Sequence, residues 1–198
     1  MQKIAINWFR KDLRLHDNPS LAYLSKLSLP IINIFIWDAE ENKEKPIGGA
    51  SKIWLHHALH DLNKQLEYKL YVLSGKAEDI FNYLIRKFQI QTISWNRCYE
   101  PWRIKRDKSV KKLLESKNIT ARSFNGSLLW EPWEILKKDS TPYKVYSPFF
   151  KKGCLNANPP RRPIKKIKKL NLFNFKNKIS SIDDLKLVPC SNWPKKIS

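Results

Sequence analysis

"NWFRKDLRLHDNPSL", residues 7–21, decides the fold of this chain. The apolar run of residues 4–9 has strand length and stops at Phe9. Seven of the nine residues from Arg10 to Asn18 are then polar or charged, with both signs interleaved. Asn18-Pro19 follows as a helix start: Asn caps free N–H groups, and Pro suits the first helical turn. A buried strand, a charged loop and a helix in direct succession open a βα unit. The loop predicts local ion pairing of Arg10, Lys11 and Arg14 with Asp12 and Asp17. Leu13 and Leu15 tuck it down.

The same alternation runs outward from this unit. Residues 31–37 are almost wholly apolar, as buried parallel strands are. After a polar loop from Asp38 to Gly49, a long helix opens at Ser51. Its buried face is predicted at Ile53, Trp54, Ala58, Leu59, Leu62 and Leu66. Residues 70–73 form a third strand, closed by Ser74-Gly75. Ala77, Ile80, Phe81, Leu84, Ile85 and Phe88 mark the next amphipathic helix. Strand residues 92–95, a basic helix over 103–117 buried through Val110, Leu113 and Leu114, and strand residues 119–124 complete the set. Short connections between alternating strands and helices predict an α/β fold, a Rossmann-like parallel five-stranded sheet with helices on both faces.

Ligands of such sheets bind beyond the C-terminal strand ends, at the switch in strand order. Those ends carry Trp8-Phe9-Arg10, Trp37-Asp38, Ser74-Gly75 and Trp95-Asn96. A single Trp there reads first as core packing. Three at equivalent ends suggest an aromatic ligand or a docking surface.

The chain has 198 residues and a formal net charge of +20. Such charge suits an acidic partner, nucleic acid above all, and equally a solvated Lys-rich surface. From residue 151 to 182 there are ten Lys or Arg and no Asp or Glu, with Pro159-Pro160 and Pro163 breaking helices. Residues 1–150 are therefore expected as the α/β domain and residues 151–198 as an extended basic linker. No apolar run approaches the ~20 residues of a membrane span, and the N-terminus has no signal-peptide layout. A cytoplasmic protein with no membrane partner is expected. Cys98, Cys154 and Cys190 are scattered, with no CxxC, so reduced structural thiols are the expectation.

The glycine content excludes familiar phosphate cradles. With five glycines there is no GxGxxG and no P-loop. GxSxG and HExxH are also absent. His56 and His60 have the i,i+4 spacing of metal ligands on one helix face. No third ligand stands near them in sequence, so they read as packing or surface histidines, and no metal site and no catalytic residue is expected.

Residues 8–21 resemble the opening motif of the DNA photolyase/cryptochrome family. "GGASKIWLHHALHDLN" (residues 48–63) resembles the family's second helix, in the version typical of bacterial class I deoxyribodipyrimidine photolyases. "WNRCYEPWRIKRD" (95–107), "ARSFNGSLLWEP" (121–132), "TPYKVYSPFFK" (141–151) and "SIDDLKLVPCSNW" (181–193) resemble later segments in family order. The resemblance implies an α/β domain that borders an antenna chromophore. It also implies a separate helical domain that binds FAD and damaged DNA, where reduced flavin donates an electron that splits a cyclobutane pyrimidine dimer. That is a carbon–carbon lyase reaction, photoreactivation in DNA repair. FAD is expected only in the helical domain, whose start would fall near Ser198, and repair by residues 1–198 alone is not expected.

On this resemblance the antenna site is expected at Trp8, Phe9, Arg10, Trp37, Asp38, Lys52, Glu100, Trp102 and Arg103. Lys11, Asp12, Arg14, Asp17, Asn18, Tyr143 and Lys144 are expected as interdomain or structural motif residues. Family members that bind a folate can carry Asn-Glu in the loop after strand four. Trp102-Arg103 stands at that place here, which leaves a deazaflavin, a flavin or no antenna at all open beside a folate. Trp faces would stack on a planar anionic chromophore while Arg10, Lys52 or Arg103 offset its charge. Other readings are a cryptochrome-like photoreceptor, and a stand-alone nucleotide- or nucleic-acid-binding module.

Overall fold

The computed structural model describes residues 2–38, 46–167, 169–174 and 181–188. Cys190 and the end of the last family-like segment lie outside the described residues. Five parallel strands form one sheet in the order β3-β2-β1-β4-β5. They are β1 (Lys3–Phe9), β2 (Ile31–Trp37), β3 (Leu70–Ser74), β4 (Gln89–Asn96) and β5 (Thr120–Phe124). Four helices alternate with them: α1 (Pro19–Ser25), α2 (Gly49–Gln65), α3 (Ala77–Lys87) and α4 (Pro101–Ser116). The chain steps outward from β1 to β3, then returns to lay β4 on the other side of β1. The switch in strand order therefore lies between β1 and β4.

The elements match the sequence pattern closely. Asn18 accepts from the Leu21 N–H, and Pro19 occupies the first turn of α1. Two helices start earlier than their apolar stripes suggest. α4 begins at Pro101, again proline in the first turn, and α2 begins at Gly49.

Alternation along β1 sends side chains to opposite faces. Ile4, Ile6 and Trp8 join Phe81 and Leu84 of α3 and Val110 and Leu114 of α4 in one apolar core. Phe9 points the other way, into a core with Leu21 of α1, Leu55, Leu59 and Leu62 of α2, and Leu66 just past its end. Helices thus cover both faces. The buried stripe of α2 runs through Leu55, and Trp54 is 66% exposed, so its expected place in the core is corrected. Successive residues on a helix lie about 100° apart, so Leu55 and Trp54 cannot both lie on a narrow face.

Residues beyond 150 join the second core. Ile182 and Leu187 are buried in it, and Ile167, Leu170 and Leu172 pack against it. Ile31 and Leu172 form a parallel bridge beside β2, with the Ile31 N–H donating to the Asn171 carbonyl at 2.7 Å.

Candidate functional site

The C-terminal ends of β1 and β2, with α2 and α4, enclose a cleft of about 510 Å³. That is the size of a small-ligand site. Phe35, Trp37, Trp54 and Leu55 give it apolar and aromatic walls, and Arg10, Lys11, Arg103 and Arg106 give it cations. Asp38 is the acid on its lining.

The charged loop after β1 builds the floor, mostly by contacts distant in sequence. Arg10 is 5% exposed. Its Nη1 donates to both carboxylate oxygens of Asp107, at 2.7 and 2.8 Å. Its Nε and Nη2 donate to the Asn96 carbonyl at the end of β4. The buried Asp107 also accepts from the Trp95 indole at 3.0 Å and from Arg106 Nη2 at 3.2 Å. Arg10 thus fills the crevice at the β1/β4 switch. A carboxylate shared by two guanidiniums and an indole N–H has its acceptor sites occupied, which buried charge requires. Burial, helped by the neighbouring Arg10 charge, lowers Arg106 to about 10 against the raising effect of Asp107.

The expectation of local pairing is therefore corrected. Arg10 pairs with Asp107 and Lys11 with Glu100. Asp12 accepts from the Arg10 backbone N–H at 2.9 Å and from Asn96 Nδ2 at 2.6 Å. Asn96 also donates to Asn18 at 2.8 Å and accepts from the Ser20 N–H at 3.1 Å. Asp12, Asn18 and Asn96 thus tie loop, α1 and β4 into one buried network. Of the expected local pairs, Arg14 and Asp17 stand 3.9 Å apart. Asp17 also pairs with Arg161 of the basic segment after residue 150, and its carboxylate accepts from the Ile164 N–H at 3.1 Å. The hydrogen bond from Arg161 is the main cause holding the Asp17 carboxyl below its ordinary value. Arg14 donates to the Gly126 carbonyl. A Cβ at Gly126 would lie 2.7 Å from Asn96 Cβ, so glycine permits this close approach.

Of the expected antenna residues, the cleft brings together Trp8, Arg10, Trp37, Asp38 and Arg103. Trp8 is 1% exposed, edge-on to Phe81 and Trp95, and capped by the Arg10 and Arg106 guanidiniums at 5.0 and 4.6 Å. It supports the floor, and the guanidiniums lie above it. Phe9 lies in the α1/α2 core. Lys52 and Trp102 are outside the lining; Trp102 stacks under Arg103 at 4.4 Å. Glu100 lines a neighbouring hollow with Lys11 and Tyr99. In that region burial and the hydrogen bond to Glu131 push the Tyr99 phenol up to about 12. Tyr143 packs on Phe149 with ring centres 6.3 Å apart, and Lys144 is exposed.

Sequence reading missed Trp54, Arg106 and Asp107 as site residues. Asp107 left a signal: it falls on the stripe of Val110 and Leu114, an acid on the apolar face of a basic helix. His56 and His60 also gain the third group that sequence did not supply, since Asp183 lies 3.3 Å from His60. Among the described residues no helix is long and apolar enough to cross a membrane.

Residues 5–167 match the family model described as DNA photolyase. The deoxyribodipyrimidine photo-lyase of Agrobacterium fabrum is 37% identical over 197 residues, covering 98% of this chain and 40% of that protein. Cryptochrome-2 of Arabidopsis thaliana is 34% identical over 163 residues, covering 80% of this chain and 26% of that protein. A crystal structure of a bacterial class III photolyase from Agrobacterium tumefaciens superposes with a TM-score of 0.87 at 35% identity, over 97% of this chain and 40% of the other. The chain thus spans well under half the length of these relatives. The loop motif, the sheet order and a match that runs through both place this chain in the DNA photolyase family, as its N-terminal α/β domain.

Proposed function

We propose that this chain is the light-harvesting and scaffold part of a deoxyribodipyrimidine photo-lyase, and that the cleft over β1 and β2 holds a planar, anionic antenna chromophore. The cleft itself carries the reading: an exposed Trp54 and a half-buried Trp37 face a wall of guanidiniums. Such a lining fits the chemistry of an aromatic anion, whose ring stacks on indole and whose charge meets fixed cations. When bound, the chromophore supplies absorption of light and transfer of excitation energy to a flavin. The protein's own part is positional. Asp107 fixes Arg10 and Arg106, Trp8 lies beneath them, and Trp54 closes the outer side.

A helical FAD-binding domain, in the same polypeptide or a separate one, is the partner, and damaged DNA is met through it. Leu129, Trp133, Val145, Tyr146 and Leu155 are each largely exposed apolar side chains available for docking it. Tyr143 and Lys144 lie within that stretch. The whole photo-lyase would reside in the cytoplasm.

Chromophore uptake tests the reading. The purified chain is mixed with a reduced folate, a deazaflavin and a flavin in turn, then desalted. One of them stays bound, with a shifted absorption band, and Trp54→Ala weakens its retention by about tenfold or more. Loss of all three on desalting overturns the antenna assignment. A cryptochrome-like photoreceptor is the second reading, favoured by the 34% identity to a plant cryptochrome. Light-dependent repair of pyrimidine dimers by this chain joined to its FAD domain separates the two.

A further inference from the structure

His56 and His60 lie one turn apart on α2, so both rings leave the same face. Their centres are 4.5 Å apart. A short 3₁₀ turn, Asp183–Leu185, lies over that face. It is held there by its flanks: Ile182 and Leu187 are buried in the same core as Leu55, Leu59 and Leu62 of α2. Between these anchors, Asp183 Oδ1 comes within 3.3 Å of His60 Nε2 and 4.0 Å of His56 Nε2. One atom from each of the three side chains falls within 4.8 Å of the others.

An ion bound at about 2.0–2.2 Å with tetrahedral angles spaces its ligand atoms roughly 3.3–3.5 Å apart. The His60–Asp183 pair already stands at that spacing, while His56 Nε2, 4.0 Å from Asp183 Oδ1 and within 4.8 Å of the His60 ligand atom, has to move in to complete it. Neutral imidazoles present lone pairs, which suit a cation.

We propose that His56, His60 and Asp183 form a three-ligand site for a borderline divalent metal ion, Zn²⁺ foremost, that staples the linker to helix α2. Two imidazoles and one carboxylate are a donor set for such ions. The exposed side of Asp183 leaves water the fourth position. The ion closes a span of 123 residues and holds residues 181–188 over the second core.

The untagged chain is titrated with Zn²⁺ against a chromophoric chelator, and with Co²⁺ followed by visible absorption. One ion binds per chain, and Co²⁺ gives the intense bands of a four-coordinate centre. His60→Gln and Asp183→Asn each weaken binding by more than about tenfold, at least the loss seen for an outer partner. His57→Gln leaves it unchanged. Zn²⁺ slows tryptic cleavage of the Lys-rich linker in the parent chain and not in Asp183→Asn. Circular dichroism checks that the variants fold, and the Co²⁺ spectrum of the parent stands as a test without them. Absence of uptake, uptake that survives the double change His56→Gln/His60→Gln, or uptake with no effect on linker cleavage overturns the proposal.

Discussion

The sheet face under α3 and α4 and the face under α1 and α2 are closed by different stretches of chain. The first is almost self-contained: its buried residues all come from the strands, α3, α4 and the approach to β5, ending at Ile119. The second needs Ile182 and Leu187, which arrive after the whole sheet is made. A basic segment that composition marks as a linker therefore supplies core. The lesson is that charge density and burial are separate properties. Lysines can stay in water while the isoleucines and leucines between them pack.

Truncation after Phe173 is the harshest way to break this comparison. It removes two buried aliphatic side chains, each worth roughly 2–5 kcal/mol, and lowers the urea midpoint accordingly. Hydrogen exchange should accelerate in α2 before α3. Equal acceleration in both helices would make the faces one cooperative unit and dissolve the contrast.

The first face is vulnerable from within. Asp107→Ala leaves Arg10 and Arg106 without their shared carboxylate in a buried site. The expected loss is about 3–5 kcal/mol, read by chemical denaturation. Arg10→Met combined with Asp107→Leu should recover part of it, because the Arg10 charge is removed with its partner while Arg106 still lacks the carboxylate.

The smallest effect lies where Arg161 meets the first loop. Arg161 depresses Asp17, so the pair stabilises the fold above the ordinary aspartate range and ceases to do so as pH falls through the lower folded value. Both groups are partly exposed, and the contribution is at most about 1 kcal/mol. Arg161→Ala should lower stability at neutral pH and match the parent chain well below about pH 4. A difference that persists in acid would assign the contact to packing.

Most of the fold was legible because it is written locally. The strand at residues 31–37, the Asn18-Pro19 cap and the break at Ser74-Gly75 each sit inside a short window. The site was legible only in part. Trp8, Arg10 and Trp37 stand at strand ends, where periodicity and topology place them together. Trp54 was hidden because it neighbours Leu55, and one residue decides which side of a helix is wet. The Arg10–Asp107 and His60–Asp183 contacts join residues 97 and 123 positions apart. Nothing within reach of either partner announces the other. Charge balance inside the opening loop favoured local pairs, and burial of Arg10 overrode it, because a buried guanidinium needs a carboxylate that is buried with it.

The strand order also sets a timetable for synthesis. β1 is the first strand made, yet one of its edges pairs with β4, which is complete only at Asn96. At about 5–20 residues per second the ribosome leaves that edge open for several seconds. During that time Ile4, Ile6 and Trp8 have neither β4 beside them nor α4 above them. An open apolar strand edge is a template for wrong pairing. The nascent chain is therefore most exposed to aggregation before residue 96 emerges, and a holding chaperone would matter most in that interval.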